Sequence, residues 1–300
     1  MSAPDRPSAS GGMYRPRPPV LKAAFGRTPH TAALLDGMVT SDLLRLEDVG
    51  IAPISRAFAP MVRDARFDVA EMAIATVLQA RAWGKPLVLL PVVLAARFQE
   101  SALLCRADGP VRSPADLEGR RIGVRAYSQT TGMWLRGTLA DRHGLRPEAM
   151  RWTTFEDAHV PEYRDPPWAE RAPPGSDMLT MLRDGSLDAA IFGNETPAGG
   201  DLRTVFPDPA AAGEAFRAAH GFIPVNHLLV ARRSLIEGAP DLAAELVRLF
   251  RAAAPDRPAT DRAALDPTLA LAVRYCVEQG LSPGPLAAKD IWAGLPAAVA

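Results

Sequence analysis

Short apolar runs alternate with amphipathic stretches along most of the chain. VLKAAF at residues 20–25 has the content of a strand. Residues 28–38 predict a short helix opened by Thr28-Pro29, a capping residue followed by a proline that suits the first turn. LLRLEDV reads as a second strand, residues 55–64 as a helix, FDVAEMA as a further strand-like run and residues 75–83 as helix. LVLLPVVLA and SALLCRA are apolar and strand-like. From residue 113 the pattern predicts a short helix capped by Ser113, a strand over 121–125, a polar turn, and a long helix from about Gln129 that Gly144 ends. MRWTTF is strand-like, and the Pro- and Asp-rich residues 156–176 read as a long irregular loop. SDMLTMLRDGSLDAAIFGN then gives a capped helix, a glycine turn and a buried strand; the remainder predicts one strand, 227–232, and mostly helix. Strands alternating with helices predict an α/β architecture, and no repeat of solenoid period is present.

With 300 residues, the chain is long enough for one large domain or two ordinary ones. Its 34 basic and 34 acidic side chains balance, and no basic stripe interleaved with aromatics occurs, which argues against nucleic acid as a partner. Cys105 and Cys276 stand too far apart in sequence for a disulfide framework or a metal cluster, and read as buried or inert thiols in a reducing compartment, with one long-range disulfide as the alternative. Residues 1–19 are rich in Pro, Ser, Gly and Ala without an apolar core, so they read as a disordered tail rather than a secretory signal. The longest apolar run, residues 86–96, is too short to span a bilayer. A cytoplasmic protein without a membrane span is expected, and homo-oligomerisation is left open.

SPADLEGRRIGV, followed by a polar turn and helix and then by MLRDGSLDAAI, resembles the second lobe of type II periplasmic-binding-protein folds. A finer resemblance is to the 4,5-dihydroxyphthalate decarboxylase family, enzymes built on that scaffold. HTAALLDGMV, FDVAEMAIATVL, LPVVLAARF, GRRIGVRAYSQTTGMWLRGTLADRHGL, MLRDGSLDAAIFG, VFPD and GFIPVNHLLVARR follow the family order between about residues 20 and 255. The chain departs from the pattern after Arg97-Phe98, where Gln99-Glu100 replaces the basic residue or histidine frequent in the family, and at IFGNETP. The resemblance implies a two-lobe α/β fold of mixed sheets flanked by helices, with a ligand cleft between the lobes. Lobe 1 would take residues 20–108 and 212–300, and lobe 2 residues 109–211. Ligands of open α/β sheets sit beyond the carboxyl ends of the strands, so the residues at strand exits are the ones to weigh.

His30 follows the first strand. It is either a surface histidine in a helical turn or a group that holds a carboxylate or moves a proton. Ser128, Gln129 and Thr130, with Thr131 behind them, open a helix whose free N–H groups suit an anion; ordinary capping is the alternative. Arg97 ends the most apolar run and wants either a ligand anion or a salt bridge to Glu100 or Glu71. Trp134 and Arg136 fit core and solvent as well as they fit a ligand, and the resemblance is what brings both toward the site. Glu71 could relay a proton or hold a phenolic hydroxyl, or be solvated. His227 opens an apolar strand, as a satisfied buried histidine or as a cleft residue. Asn194 completes the substrate-binding set. His143, His159 and His220 read as a helix-end charge, a loop residue and a cap. No histidine pair has metal spacing, so no metal is expected, and neither a phosphate-binding glycine loop nor a Gly-x-Ser-x-Gly elbow is present.

The function that the resemblance implies is decarboxylation of a small aromatic dicarboxylate. A ring hydroxyl ortho or para to the carboxylate can supply the electrons, so no cofactor is expected. The protein must offer a base for the phenol, an acid for the ring carbon and a cleft that strips water from the carboxylate. His30 and His227, with Glu71, are the candidates for proton transfer. Arg97, Arg136 and the turn at Ser128 would hold the retained carboxylate. The rivals are a solute receptor or sensor with the same anion pocket, and another lyase of the same fold.

Overall fold

The computed structural model describes residues 17–193, 196–257 and 260–299. In chain order its strands are β1 (Val20–Ala24), β2 (Arg45–Asp48), β3 (Val69–Ala73), β4 (Leu87–Ala96), β5 (Leu103–Arg106), β6 (Arg121–Val124), β7 (Arg151–Thr154), β8 (Ala169–Arg171), β9 (Ala189–Ile191), β10 (Leu202–Thr204) and β11 (Val225–Arg232). They form two mixed sheets flanked by helices, ordered β2-β1-β3-β11-β4 and β10-β5-β9-β6-β7-β8. β3 lies at the centre of the first sheet with all five residues buried, as its VAEMA sequence suits. β4 carries Pro91 in its middle, which is tolerated because β4 is an edge strand, and its register against β11 is irregular. β11 runs antiparallel to both β3 and β4, so its first residues lie beside their carboxyl ends.

The chain crosses between the sheets through residues 97–102 and again through 205–224. The two crossings are bonded to each other. Arg97 donates its backbone N–H to the carbonyl of Pro224 at 3.0 Å, and the Gln99 and Asn226 amides exchange hydrogen bonds of 2.9 and 3.2 Å. The helix Arg262–Glu278 packs on the helix Thr130–His143 of the second lobe and on the helix Ile74–Ala82 of the first. Residues 158–163 of the second lobe are fastened to the first. Arg63 donates to the carbonyls of Ala158 and His159 at 2.8 and 3.0 Å, Lys85 pairs with Glu162 at 2.5 Å, and Trp83 meets the Tyr163 ring edge-on.

Several elements differ from the sequence reading. The strand Leu103–Arg106, grouped by sequence with lobe 1, pairs with β9 and β10 in the second sheet, because the chain has already crossed and Leu104 packs with Leu182, Leu187 and Phe192 there. β10 lies in the part expected to hold a single strand, and β8 lies inside the expected loop; each is only three residues long, too short for an alternation to show. The helix expected over 28–38 is reduced to Ala32–Leu35, with Gly37 at φ +68° ending it. Thr28, expected to cap it, lies in the turn before it, its hydroxyl accepting from the His30 N–H at 3.2 Å, and the N-cap position falls on Thr31. The long helix is Thr130–His143 and ends at Gly144 in the left-handed conformation, as expected.

Gly137 lies against the buried Tyr275 ring, whose hydroxyl donates to Asp141 at 2.6 Å. A methyl group there has no space unless the ring shifts. Gly137→Ala is therefore expected to destabilise the fold by about 1–3 kcal/mol through overpacking, read as a lower urea midpoint, while Gly144→Ala should act through backbone strain alone.

Candidate functional site

The carboxyl ends of β3, β4, β6, β7 and β9 converge on one cleft of about 440 Å³ between the sheets. At its floor the first lobe presents His227 from the start of β11. His227 Nδ1 lies 2.5 Å from Glu71 Oε1, and Glu71 Oε2 accepts the backbone N–H of Gly26 at 2.9 Å. Glu71 sits in the middle of the buried β3 with 4% of its surface exposed. A carboxylate there is tolerable only because both oxygens have partners. Nδ1 carries the hydrogen toward the carboxylate, which leaves Nε2 as the imidazole nitrogen for the cleft.

Arg97 follows β4 and lines the same cleft. Its guanidinium donates to Thr131 Oγ1 at 3.2 Å and reaches the Gly193 carbonyl at 3.5 Å, and among the described residues no carboxylate pairs with it. Burial pushes its pKa below the ordinary arginine value, a cost that an anionic ligand would offset. Arg125, at the exit of β6, reaches Ser55 Oγ across the lobes at 3.4 Å and pairs with Glu156 at 3.4 Å. Gln129 and Thr130 also line the cleft. The buried Gln129 Oε1 has no partner among the described residues, and the Thr130 hydroxyl caps the helix Ile74–Ala82 by accepting from the Ala75 N–H at 3.2 Å.

Of the residues singled out by sequence, the structure therefore brings Arg97, Gln129, Thr130 and His227 to one cleft, with Glu71 directly behind His227. Ser128 is buried beside it and is not a lining residue. His30 is half-buried in the turn after β1 and does not line the cleft. The residue of that segment that matters to the site is Thr31, whose hydroxyl donates to the Gly26 carbonyl at 2.6 Å and so fixes the glycine that holds Glu71. Trp134 is a core residue: its indole N–H donates to the Val225 carbonyl at 2.8 Å, and its ring packs edge-on against Phe216 and Tyr275. Arg136 is a core residue too. It is fully buried over the Tyr127 ring at 3.8 Å and donates to Gln279 Oε1 at 2.8 Å and the Tyr127 carbonyl at 2.5 Å. Neither Trp134 nor Arg136 is available to a cleft ligand, because the helix Thr130–His143 is buried on nearly every side along its first ten residues. Asn194 lies outside the described residues.

Sequence reasoning passed over His159, Thr76 and Arg125, all of which line the cleft, as does Thr131 from the expected helix start. Arg125 had a signal, since it ends a strand as Arg97 does. His159 had none, because it belongs to the irregular segment after β7. Its Nδ1 lies 2.8 Å from Thr76 Oγ1. Desolvation, reinforced by Arg125 and Arg63, lowers its pKa to about 4.

A sequence model of the family described as NMT1/THI5 like matches residues 55–162. The chain is 28% identical over 255 residues to the 4,5-dihydroxyphthalate decarboxylase of Comamonas testosteroni, covering 77% of this chain and 73% of that protein. It is 29% identical over 185 residues to the enzyme of the same name from Pseudomonas putida, covering 57% of this chain and 69% of that one. Among solved structures, the periplasmic aliphatic sulphonate binding protein of Escherichia coli matches with a TM-score of 0.52 at 15% identity, covering 93% of this chain and 83% of that chain. A putative periplasmic sulfonate-binding protein of Methylobacillus flagellatus matches at 0.50 and 12%, over 92% and 91%. These likenesses show that the fold is the periplasmic-binding-protein fold. No helix among the described residues is long and apolar enough to cross a membrane.

Two outcomes follow from this geometry. Arg97→Met should weaken binding of a small carboxylate in the cleft at least tenfold by calorimetry, whereas Arg136→Met should lower the unfolding midpoint instead. The unfolded His159 titrates near 6.5 and the folded one near 4. The neutral imidazole thus contributes stability above pH 6.5, and this is lost progressively as pH falls toward 4. Urea unfolding at pH 7 and pH 5 should show a smaller acid loss for His159→Gln than for the parent protein.

Proposed function

We propose that this relative of the 4,5-dihydroxyphthalate decarboxylases is a carboxy-lyase that removes carbon dioxide from a hydroxylated aromatic dicarboxylate resembling 4,5-dihydroxyphthalate. The observation that carries the reading is the pairing of His227 with the buried Glu71 at the floor of a cleft that also holds Arg97. An imidazole braced in this way by a carboxylate is built to give and retake a proton. A solute receptor on the same fold needs the guanidinium but has no use for a braced acid.

The chemistry uses the substrate's own electrons. A ring hydroxyl para to the departing carboxylate gives its proton to water and pushes density into the ring, and the phenolate left after carbon dioxide departs takes a proton back from solvent. The carbon bearing that carboxylate takes a proton from His227 Nε2, the C–C bond breaks, and carbon dioxide leaves as the ring regains aromaticity. The ring serves as the electron reservoir, so the reaction is cofactor-independent on this reading. Arg97 holds the carboxylate that is retained, because a tight clamp on the departing one would stabilise the ground state against its loss. Glu71 keeps the imidazole oriented. The setting would be aromatic-compound breakdown in the cytoplasm.

Incubation of the purified protein with 4,5-dihydroxyphthalate is expected to release carbon dioxide and a monocarboxylate. His227→Gln should lower kcat at least a hundredfold, within the range for loss of a general acid, and Glu71→Gln should lower it with little change in KM. Tight binding without carbon dioxide release would overturn the decarboxylase and favour the solute-binding alternative, while turnover of a different carboxylated ring would point to another lyase of the same fold.

A further inference from the structure

Two imidazoles, not one, look into the cleft, and a single phenyl ring supports both. Phe58 meets His227 edge-on at 5.3 Å and His159 edge-on at 5.5 Å. Their partners differ in kind. His227 Nδ1 is held by the Glu71 carboxylate, whereas His159 Nδ1 is engaged by the Thr76 hydroxyl and its Nε2 is left for the cleft. His159 also stands among cations. Arg63 binds its carbonyl and the neighbouring Ala158 carbonyl, and Arg125 lines the same cleft. Such surroundings disfavour a further positive charge.

We propose that His159 is the specificity-determining residue of the cleft, binding a ring hydroxyl of the substrate through Nε2 as a neutral imidazole. The proposal rests on the reading of the cleft as a site for hydroxylated aromatic carboxylates, and it names how the hydroxyl is recognised. The retained carboxylate is met by Arg97, and Arg125 already lines the cleft as a second cation, so a third would attract a further anion and could not tell a hydroxyl from a carboxylate. A neutral imidazole can donate to or accept from a hydroxyl and gains little from an anion. A site built to hydrogen-bond a hydroxyl also rejects the analogue that lacks one, since its buried polar atom is then left unpaired. Thr76 fixes the ring through Nδ1, and Arg63 fixes the backbone that carries it, so Nε2 is presented at a set height above Phe58.

The test uses two unreactive probes, 3,4-dihydroxybenzoate and benzoate, with dissociation constants measured by calorimetry on the full chain. The parent protein should bind the dihydroxylated probe at least tenfold more tightly. His159→Phe should shrink that preference to less than threefold while changing the benzoate affinity less than twofold, and His159→Gln, which keeps a hydrogen-bonding group, should retain an intermediate preference. The proposal is overturned by an unchanged preference in His159→Phe, by an equal loss for both probes, or by a parent protein that binds both alike or neither. If His159→Phe fails to fold, the His159→Gln preference decides, and an undiminished value overturns the proposal. Because turnover is not measured, a parent protein that binds with the expected preference yet releases no carbon dioxide from 4,5-dihydroxyphthalate would sink the decarboxylase reading and leave the role of His159 standing.

Discussion

A carboxylate buried in the central strand of a sheet is the constraint around which this protein is arranged. Glu71 interrupts an otherwise apolar β3, and removing one partner from such a group costs about 3–5 kcal/mol. Its two oxygens draw on different parts of the chain: Gly26 at the exit of β1, and His227 at the start of β11. Satisfying Glu71 thus fixes the relative positions of three strands and aims the imidazole. Thr31 extends the arrangement one step further by holding the Gly26 carbonyl. The stability of the first sheet and the chemistry of the cleft consequently share the same atoms.

The second lobe contributes its part through fixed connections. The Gln99–Asn226 amide pair ties the two crossings together. Burial pushes the neighbouring Glu100 carboxyl above its ordinary pKa, and its oxygen accepts the Gln99 backbone N–H at 2.9 Å. Arg97 emerges from this locked junction, which explains how a long side chain can be held where a ligand carboxylate would meet it.

Much of this was legible in the sequence, for identifiable reasons. The alternation of apolar runs and capped helices disclosed the α/β character, and Gly144 marked the end of the long helix because only a residue tolerant of positive φ suits that place. Arg97 could be found because strand exits in such sheets face the ligand, and His227 because GFIPVNH carried a resemblance that brought the opening of its strand to the cleft. The misplacements share a cause as well. Arg136 has the sequence look of a solvated or ligand-binding cation, but the groups that receive it, Gln279 and the Tyr127 ring, come together only in the folded chain. His30 drew attention as the titratable residue of its turn, whereas the neighbouring Thr31 supplies the bond that matters. His159 sits in a segment without periodicity, where position relative to a strand or helix face carries no information.

The fastening of residues 158–163 onto the first lobe has a consequence for traffic through the cleft. A pair of lobes that swings on free hinges can part to admit a bulky guest and then close around it. Here Arg63 and Lys85 stitch one side, and the helix Arg262–Glu278 bridges the lobes as well. Any parting of the lobes on that side of the chamber of about 440 Å³ would therefore have to break these contacts first, so they set how far the walls can separate to admit an occupant.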